Sequence, residues 1–183
     1  MQAPNISFVK YHELDNTKEF DKLIKFLKPK DVLNIGEFTE LSFGFVKDMQ
    51  EHFNHSGITW SDFLDEMAAL TNKSVKELAS MSVYDINQQF RYCKEQVIVI
   101  NNIEDQKLSH APNADEKAAN IERFSVYRGF LQFDKLAGGD MLKIKLVRSL
   151  PYSLCLTKLA LDADNVRFTK DFQSIKDKKA KNK

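Results

Sequence analysis

A chain of 183 residues is long enough for one well-buried core, or for a helical domain with a smaller second lobe. Its 27 basic and 26 acidic side chains leave a formal charge of +1, so no global field draws it to nucleic acid or to an anionic membrane. The two cysteines, Cys93 and Cys155, lie far apart without companion histidines, which argues against a disulfide scaffold or a zinc site and suits a reduced compartment.

The opening Met1-Gln2-Ala3-Pro4-Asn5 lacks the basic start and apolar run of a signal peptide. No apolar stretch approaches the ~20 residues that span a bilayer, so a soluble, non-secreted protein without membrane partners is expected. Alternation in Ile6-Ser7-Phe8-Val9-Lys10-Tyr11 predicts a short N-terminal strand. Five helix starts follow, each a capping residue with a carboxylate three positions on: Asn16 to Glu19, Asn34 to Glu37, Thr59 to Asp62, Ser74 to Glu77 and Ser82 to Asp85. In such pairs the capping oxygen accepts from free first-turn amides, and the carboxylate complements the positive helix end.

Phe20, Leu23, Ile24 and Leu27 recur at i, i+3, i+4 and i+7 and predict a first helix that Pro29 ends. Ile35, Phe38, Leu41, Phe45, Met49 and Phe53 predict a continuous second helix, ended near residues 54–57. The third runs from Trp60 to about Leu70 with Phe63, Leu64, Met67 and Ala68 inward; a turn at 70–73 leads to a short helix holding Val75 and Leu78. Ile86, Phe90, Cys93 and Val97 predict the next helix, with Cys93 as a structural thiol on its apolar face. Whether Val97-Ile98-Val99-Ile100 finishes that helix or begins a strand, periodicity does not separate. Phe38, Leu41, Phe45, Met67, Leu70, Leu78 and Phe90 are expected to form one buried cluster.

Polar residues and Pro112 mark 102–114 as a linker or exposed loop. A helix is predicted from Asp115 to Phe124. After Gly138-Gly139, the alternation of Leu142, Ile144 and Leu146 with Lys143, Lys145 and Arg148 predicts a strand with a basic outer face, interrupted by Pro151. Residues 154–161 are apolar enough to pack, and 164–175 predict a last helix. The fold class read from these elements is mainly α, within α+β: a helical module (1–101, with the N-terminal strand), a linker (102–114), a smaller strand-containing lobe (115–175) and a basic tail (176–183). That tail carries five lysines and one aspartate, a local +4 that leaves −3 for the rest.

Chemistry-bearing constellations are absent from the pattern. Residues 63–81 have the size of a helix-turn-helix, but 57–85 hold five acids and two lysines, whereas a phosphate-facing motif is locally basic. Gly138-Gly139-Asp140 lacks the glycine spacing and Lys-Ser/Thr of a phosphate loop and reads as a tight turn. Of His12, His52, His55 and His110, only His52 and His55 are spaced to share a metal, and no third ligand completes them. Asp65 and Glu66 are adjacent on a helix and diverge, which does not suit acid–base work. A non-enzymatic protein is expected, with no catalytic residue, cofactor or metal.

Tyr127, Phe130, Phe133 and Leu136 fall within ten residues beside Gly129 and Gly138-Gly139. That is more apolar bulk than a short strand or turn buries, which marks them as a partner surface or as the seal between the two lobes. Lys178, Lys179, Lys181 and Lys183 are candidates for electrostatic contact with an acidic partner or nucleic acid.

Lys28-Pro29-Lys30-Asp31-Val32-Leu33-Asn34-Ile35-Gly36-Glu37-Phe38-Thr39-Glu40-Leu41 and Met67-Ala68-Ala69-Leu70-Thr71-Asn72-Lys73-Ser74-Val75-Lys76-Glu77-Leu78-Ala79-Ser80-Met81-Ser82-Val83-Tyr84-Asp85 together resemble bacteriophage tail assembly chaperones. Those helical proteins pair an entry into a helix with a later leucine-threonine turn, a serine-capped helix and a second cap. The likeness covers about residues 28–95. It implies a virion assembly protein whose helices hold other phage structural proteins or further copies of itself, located in the virion or the infected host cytoplasm. The alternatives are a stable component of the neck, portal ring or tail, and a nucleic-acid-associated regulator with a helix-turn-helix.

Overall fold

The helix starts predicted from a capping oxygen form at Thr59, Ser74 and Ser82, with one exception among the described residues. The computed structural model describes residues 6–12, 28–127 and 129–181. The Asn16 cap and the helix predicted through Phe20, Leu23, Ile24 and Leu27 lie outside them. The chain divides into two units, Met1–Leu41 with Phe45–Ile100, and Ser42–Gly44 with Asn101–Lys183. Among the described residues 78% are helical and none belongs to a strand, so the fold is all-α and the expected α+β class is corrected.

In the first unit, α1 (Phe8–His12) replaces the predicted N-terminal strand. Only Ser7 bridges, to Ser82, while the Phe8 amide donates to the Met81 carbonyl at 2.9 Å. Phe8 and Tyr11, three apart and both buried, occupy one face of this single turn. Helix α2 (Phe43–Glu51) continues into a π-helical turn, His52–Ser56, and stops at Gly57 with φ +69°. Thr59 caps α3 (Trp60–Thr71): its Oγ1 accepts from the Asp62 amide at 3.2 Å, and Asp62 Oδ2 accepts from the Thr59 amide at 3.1 Å. Asn72, left-handed at φ +54°, turns the chain into α4 (Val75–Ser80), which Ser74 and Glu77 cap in the same reciprocal way. Ser82 Oγ accepts from Asp85 at the start of α5 (Val83–Leu108).

The exception is the predicted second helix. Asn34 does not cap it; Asn34 and Gly36 take left-handed φ values of +55° and +80°, and only a 3₁₀ turn, Phe38–Glu40, precedes α2. Side chains compete for the amides that a helix would have used. Asp31 accepts from Ile35 at 3.0 Å and from Gly36 at 2.8 Å. Buried Gln89 accepts from Val32 at 2.8 Å and Leu33 at 3.0 Å, and Gln96 accepts from Phe38 at 3.2 Å. Gln88 donates to the Lys28 carbonyl and Tyr92 to the Gly36 carbonyl. Residues 28–38 are therefore an irregular strap, fastened along the polar side chains of α5.

Beneath the strap the core contains Phe38, Val46, Met49, Phe63, Met67, Leu78, Ile86, Cys93 and Val97, each at 1% exposure or less. Phe45 is buried as well, with its ring 5.4 Å from that of Phe38. Of the expected cluster, Leu41, Leu70 and Phe90 are half-buried. Phe90 lies within an aromatic group, its ring 4.7 Å from Trp60 and 5.1 Å from both Phe53 and Phe63. Burial pushes the Cys93 thiol up to about 12, so it is an inert packing group at neutral pH.

In the second unit the 102–114 linker is corrected to a shorter one, because α5 remains helical to Leu108 and the Val97-Ile98-Val99-Ile100 run lies within it. Asn113 caps α6 (Ala114–Ala118), a start absent from the sequence-based set, and left-handed Asn120 ends what was predicted as a helix through Phe124. A 3₁₀ segment, Ile121–Tyr127, and then α7 (Phe130–Ala137) follow, with left-handed Gly138 and Gly139 closing α7 as a tight turn.

The predicted strand at 142–148 is a 3₁₀ turn, Met141–Lys143, running into α8 (Ile144–Ser149). Asp140 caps the turn through the Leu142 amide at 3.0 Å. Burial there follows Val147, with Ile144 and Arg148 half-buried at helical spacing, while Leu142 and Leu146 face solvent. Five alternating residues, 142–146, match a strand, but a lone strand leaves its backbone groups without partners. Pro151 then separates α8 from α9 (Tyr152–Lys181). Phe43 joins this unit's core with its ring 5.1 Å from Phe133 and 5.9 Å from Tyr152, whose hydroxyl donates to Glu104 at 2.7 Å.

Candidate functional site

The second unit exposes much more apolar side chain than the first. Among the described residues 18 large apolar side chains are exposed, and 14 of them belong to the second unit. Monomeric proteins scatter such residues singly, whereas concentrations of them mark interaction surfaces.

Local structure explains how they come to the surface. In a 3₁₀ segment residues three apart eclipse one another. Phe124 and Tyr127 are so related, and they are 42% and 54% exposed, with Val126 between them at 73%. Arg123 lies over the Phe124 ring at 5.0 Å, a cation–π contact on this surface. In α7, Phe133 and Ala137 are buried at i and i+4, while Phe130, at the start of the helix, and Leu131 are exposed. Met141, Leu142 and Leu146 add a second exposed group, Leu142 at 92%.

Of the four predicted partner residues, Tyr127 and Phe130 are therefore exposed, Leu136 is half-buried and Phe133 is in the core. The Arg148 guanidinium lies over the Phe133 ring at 5.2 Å. Leu142 and Leu146 were missed because the strand pattern assigned them inward. A third set was also missed: Leu154, Leu161, Val166, Phe168, Phe172 and Ile175, exposed along α9. The seven-residue spacing of Leu154, Leu161, Phe168 and Ile175 was the available signal.

Electrostatics on this unit are those of a held surface. Glu116 accepts from the Asn113 amide at 2.9 Å, is 2.7 Å from His110 Nε2 and 3.0 Å from Lys170 Nζ, which pulls its carboxyl down to about 2. Lys178 and Lys179 are exposed near the end of α9; Lys181 is its last residue, and Lys183 lies outside the described residues. His52 lies 3.5 Å from Glu66 on α3. Among the described residues no group of three or more His, Cys, Asp or Glu is placed to hold a metal ion, and no helix is long and apolar enough to cross a membrane.

Comparison with protein-family models, curated proteins and solved structures finds no match to this chain.

Proposed function

We propose that this chain is a non-enzymatic virion assembly protein of the bacteriophage tail-chaperone type, binding other virion proteins through its second unit. The observation that carries the binding role is the concentration of exposed apolar side chains on residues 101–181. Exposed aromatics with few rotatable bonds, such as Tyr127 and Phe130, are favoured anchors at interfaces. The phage setting rests on the resemblance of residues 28–41 and 67–85: the second stretch holds the α3–α4 turn and its capping residues, whereas in the first residues 28–38 form the strap instead of the entry into a helix that the resemblance implies.

The test is an affinity-tagged chain expressed during phage infection, followed by identification of co-purified proteins and of the chain itself in purified particles. The chaperone reading expects a tail structural protein bound in the cell and no chain in finished particles. A fixed copy number in particles would replace it with the neck or tail component. A double variant, Tyr127→Ser with Phe130→Ser, removes exposed rings only and should abolish co-purification while leaving the circular dichroism spectrum unchanged. Retained co-purification would refute the assignment of this surface.

A further inference from the structure

Helix α9 runs for 30 residues, about 45 Å at ~1.5 Å per residue. Its first turns are fastened by buried Tyr152, Cys155, Leu156 and Leu159. Residues 164–180 are exposed on every face. Two ties hold that stretch: Arg167 donates to the carbonyls of Lys107 at 3.3 Å and Ser109 at 3.1 Å, and Lys170 reaches Glu116 at 3.0 Å. The face away from these ties and from Cys155 and Leu159 carries Leu154, Leu161, Phe168 and Ile175, exposed by 56, 56, 69 and 52%. Seven residues make nearly two turns at ~3.6 per turn, so the four form one seam, which Phe172 widens by stacking on Phe168 at 5.9 Å. Helical segments in water draw most of their stability from packing an apolar face, and among the described residues this seam is left exposed.

We propose that the seam of α9 packs against the same seam of a second copy of this chain, the two helices running antiparallel and crossing at Phe168. Charge selects both the occupant and the direction. Residues 172–181 carry four lysines and one aspartate, a net +3, whereas 155–164 carry Lys158, Asp162 and Asp164, a net −1. Antiparallel pairing about Phe168 sets the first segment of each copy beside the second segment of the other, and brings Leu161 to Ile175. Parallel pairing sets lysine end against lysine end and faces Asp164 and Asp171, which border the seam, with their own counterparts. Of the like-charge approaches in the antiparallel pair, Asp164 to Asp171 of the other copy has Arg167 beside it, 3.0 Å from Asp164, and Lys158, which comes opposite Lys176 and Lys178, is paired with Asp162. This inference goes beyond the binding of virion proteins and does not depend on it.

Sedimentation equilibrium of the full chain should show a dimer, and Leu161→Glu combined with Phe168→Glu should raise its dissociation constant by about 100-fold or more. Because the double variant also places charge on a long exposed helix, cysteine cross-linking gives an independent readout of geometry. Under mild oxidation Phe168→Cys should cross-link to itself. Leu161→Cys and Ile175→Cys should cross-link when mixed and remain single when oxidised alone. A chain that stays monomeric at all concentrations overturns the proposal, as does a dimer indifferent to both glutamates. Cross-linking of Leu161→Cys to itself overturns the antiparallel arrangement. A monomer that still binds virion proteins would leave the functional reading standing.

Discussion

Gln89→Leu isolates what holds the strap at residues 28–38. Gln89 is fully buried, and its side-chain oxygen accepts from two backbone amides, Val32 at 2.8 Å and Leu33 at 3.0 Å. Leucine fills similar space but accepts nothing, so both amides lose their partner. A fully buried orphan donor costs about 1–3 kcal/mol. Val32 and Leu33 are only half-buried, so water compensates in part, and about 1 kcal/mol each is the appropriate figure. The sum, about 2 kcal/mol, corresponds to roughly 30-fold in the local opening equilibrium. Amide hydrogen exchange followed by NMR should then show Val32 and Leu33 exchanging about 30-fold faster. Ile35 and Gly36, whose acceptor is Asp31, should change much less. Unchanged exchange at Val32 and Leu33, in a variant that remains folded, would refute the view that α5 side chains hold this segment out of helix.

Two further outcomes follow from single contacts. Glu116 is held near 2 in the fold against an ordinary 4.5, so its contacts with Asn113, His110 and Lys170 stabilise the second unit fully above pH 4.5 and are lost as pH falls towards 2. A carboxyl-carbon NMR titration of Glu116 with a midpoint near 4.5 would contradict this. Gly44→Ala places a Cβ 3.0 Å from both Cβ and the carbonyl oxygen of Arg148, too close for a backbone oxygen to accommodate freely, and should cost about 1–2 kcal/mol in a urea melt. An equally stable Gly44→Ala protein would show that α2 and α8 separate there without penalty.

What the sequence determined by itself is mostly local chemistry. Thr59, Ser74 and Ser82 cap the helices assigned to them because the donor, the acceptor and the carboxylate all lie within four residues. The buried positions of α3 and α5 were legible for the same reason, since a long amphipathic pattern has one face to bury. Tertiary structure decided wherever a segment's partners lie far along the chain. Gln89 and Gln96 reach back more than 50 residues to claim the amides of 32–38, so a pattern with helical spacing and a plausible Asn34 cap became a strap. Short apolar alternations at 6–11 and 142–148 fit a strand as well as a helix, and no neighbouring strand is present among the described residues to pair with them. At Phe133 and Phe130, three residues apart on α7, one ring is buried and the other exposed: Phe43, more than 80 residues earlier, packs on the Phe133 ring, while Phe130 stands at the start of the helix. Composition signalled the aromatic excess at the start of α7; only the fold could divide it into core and surface.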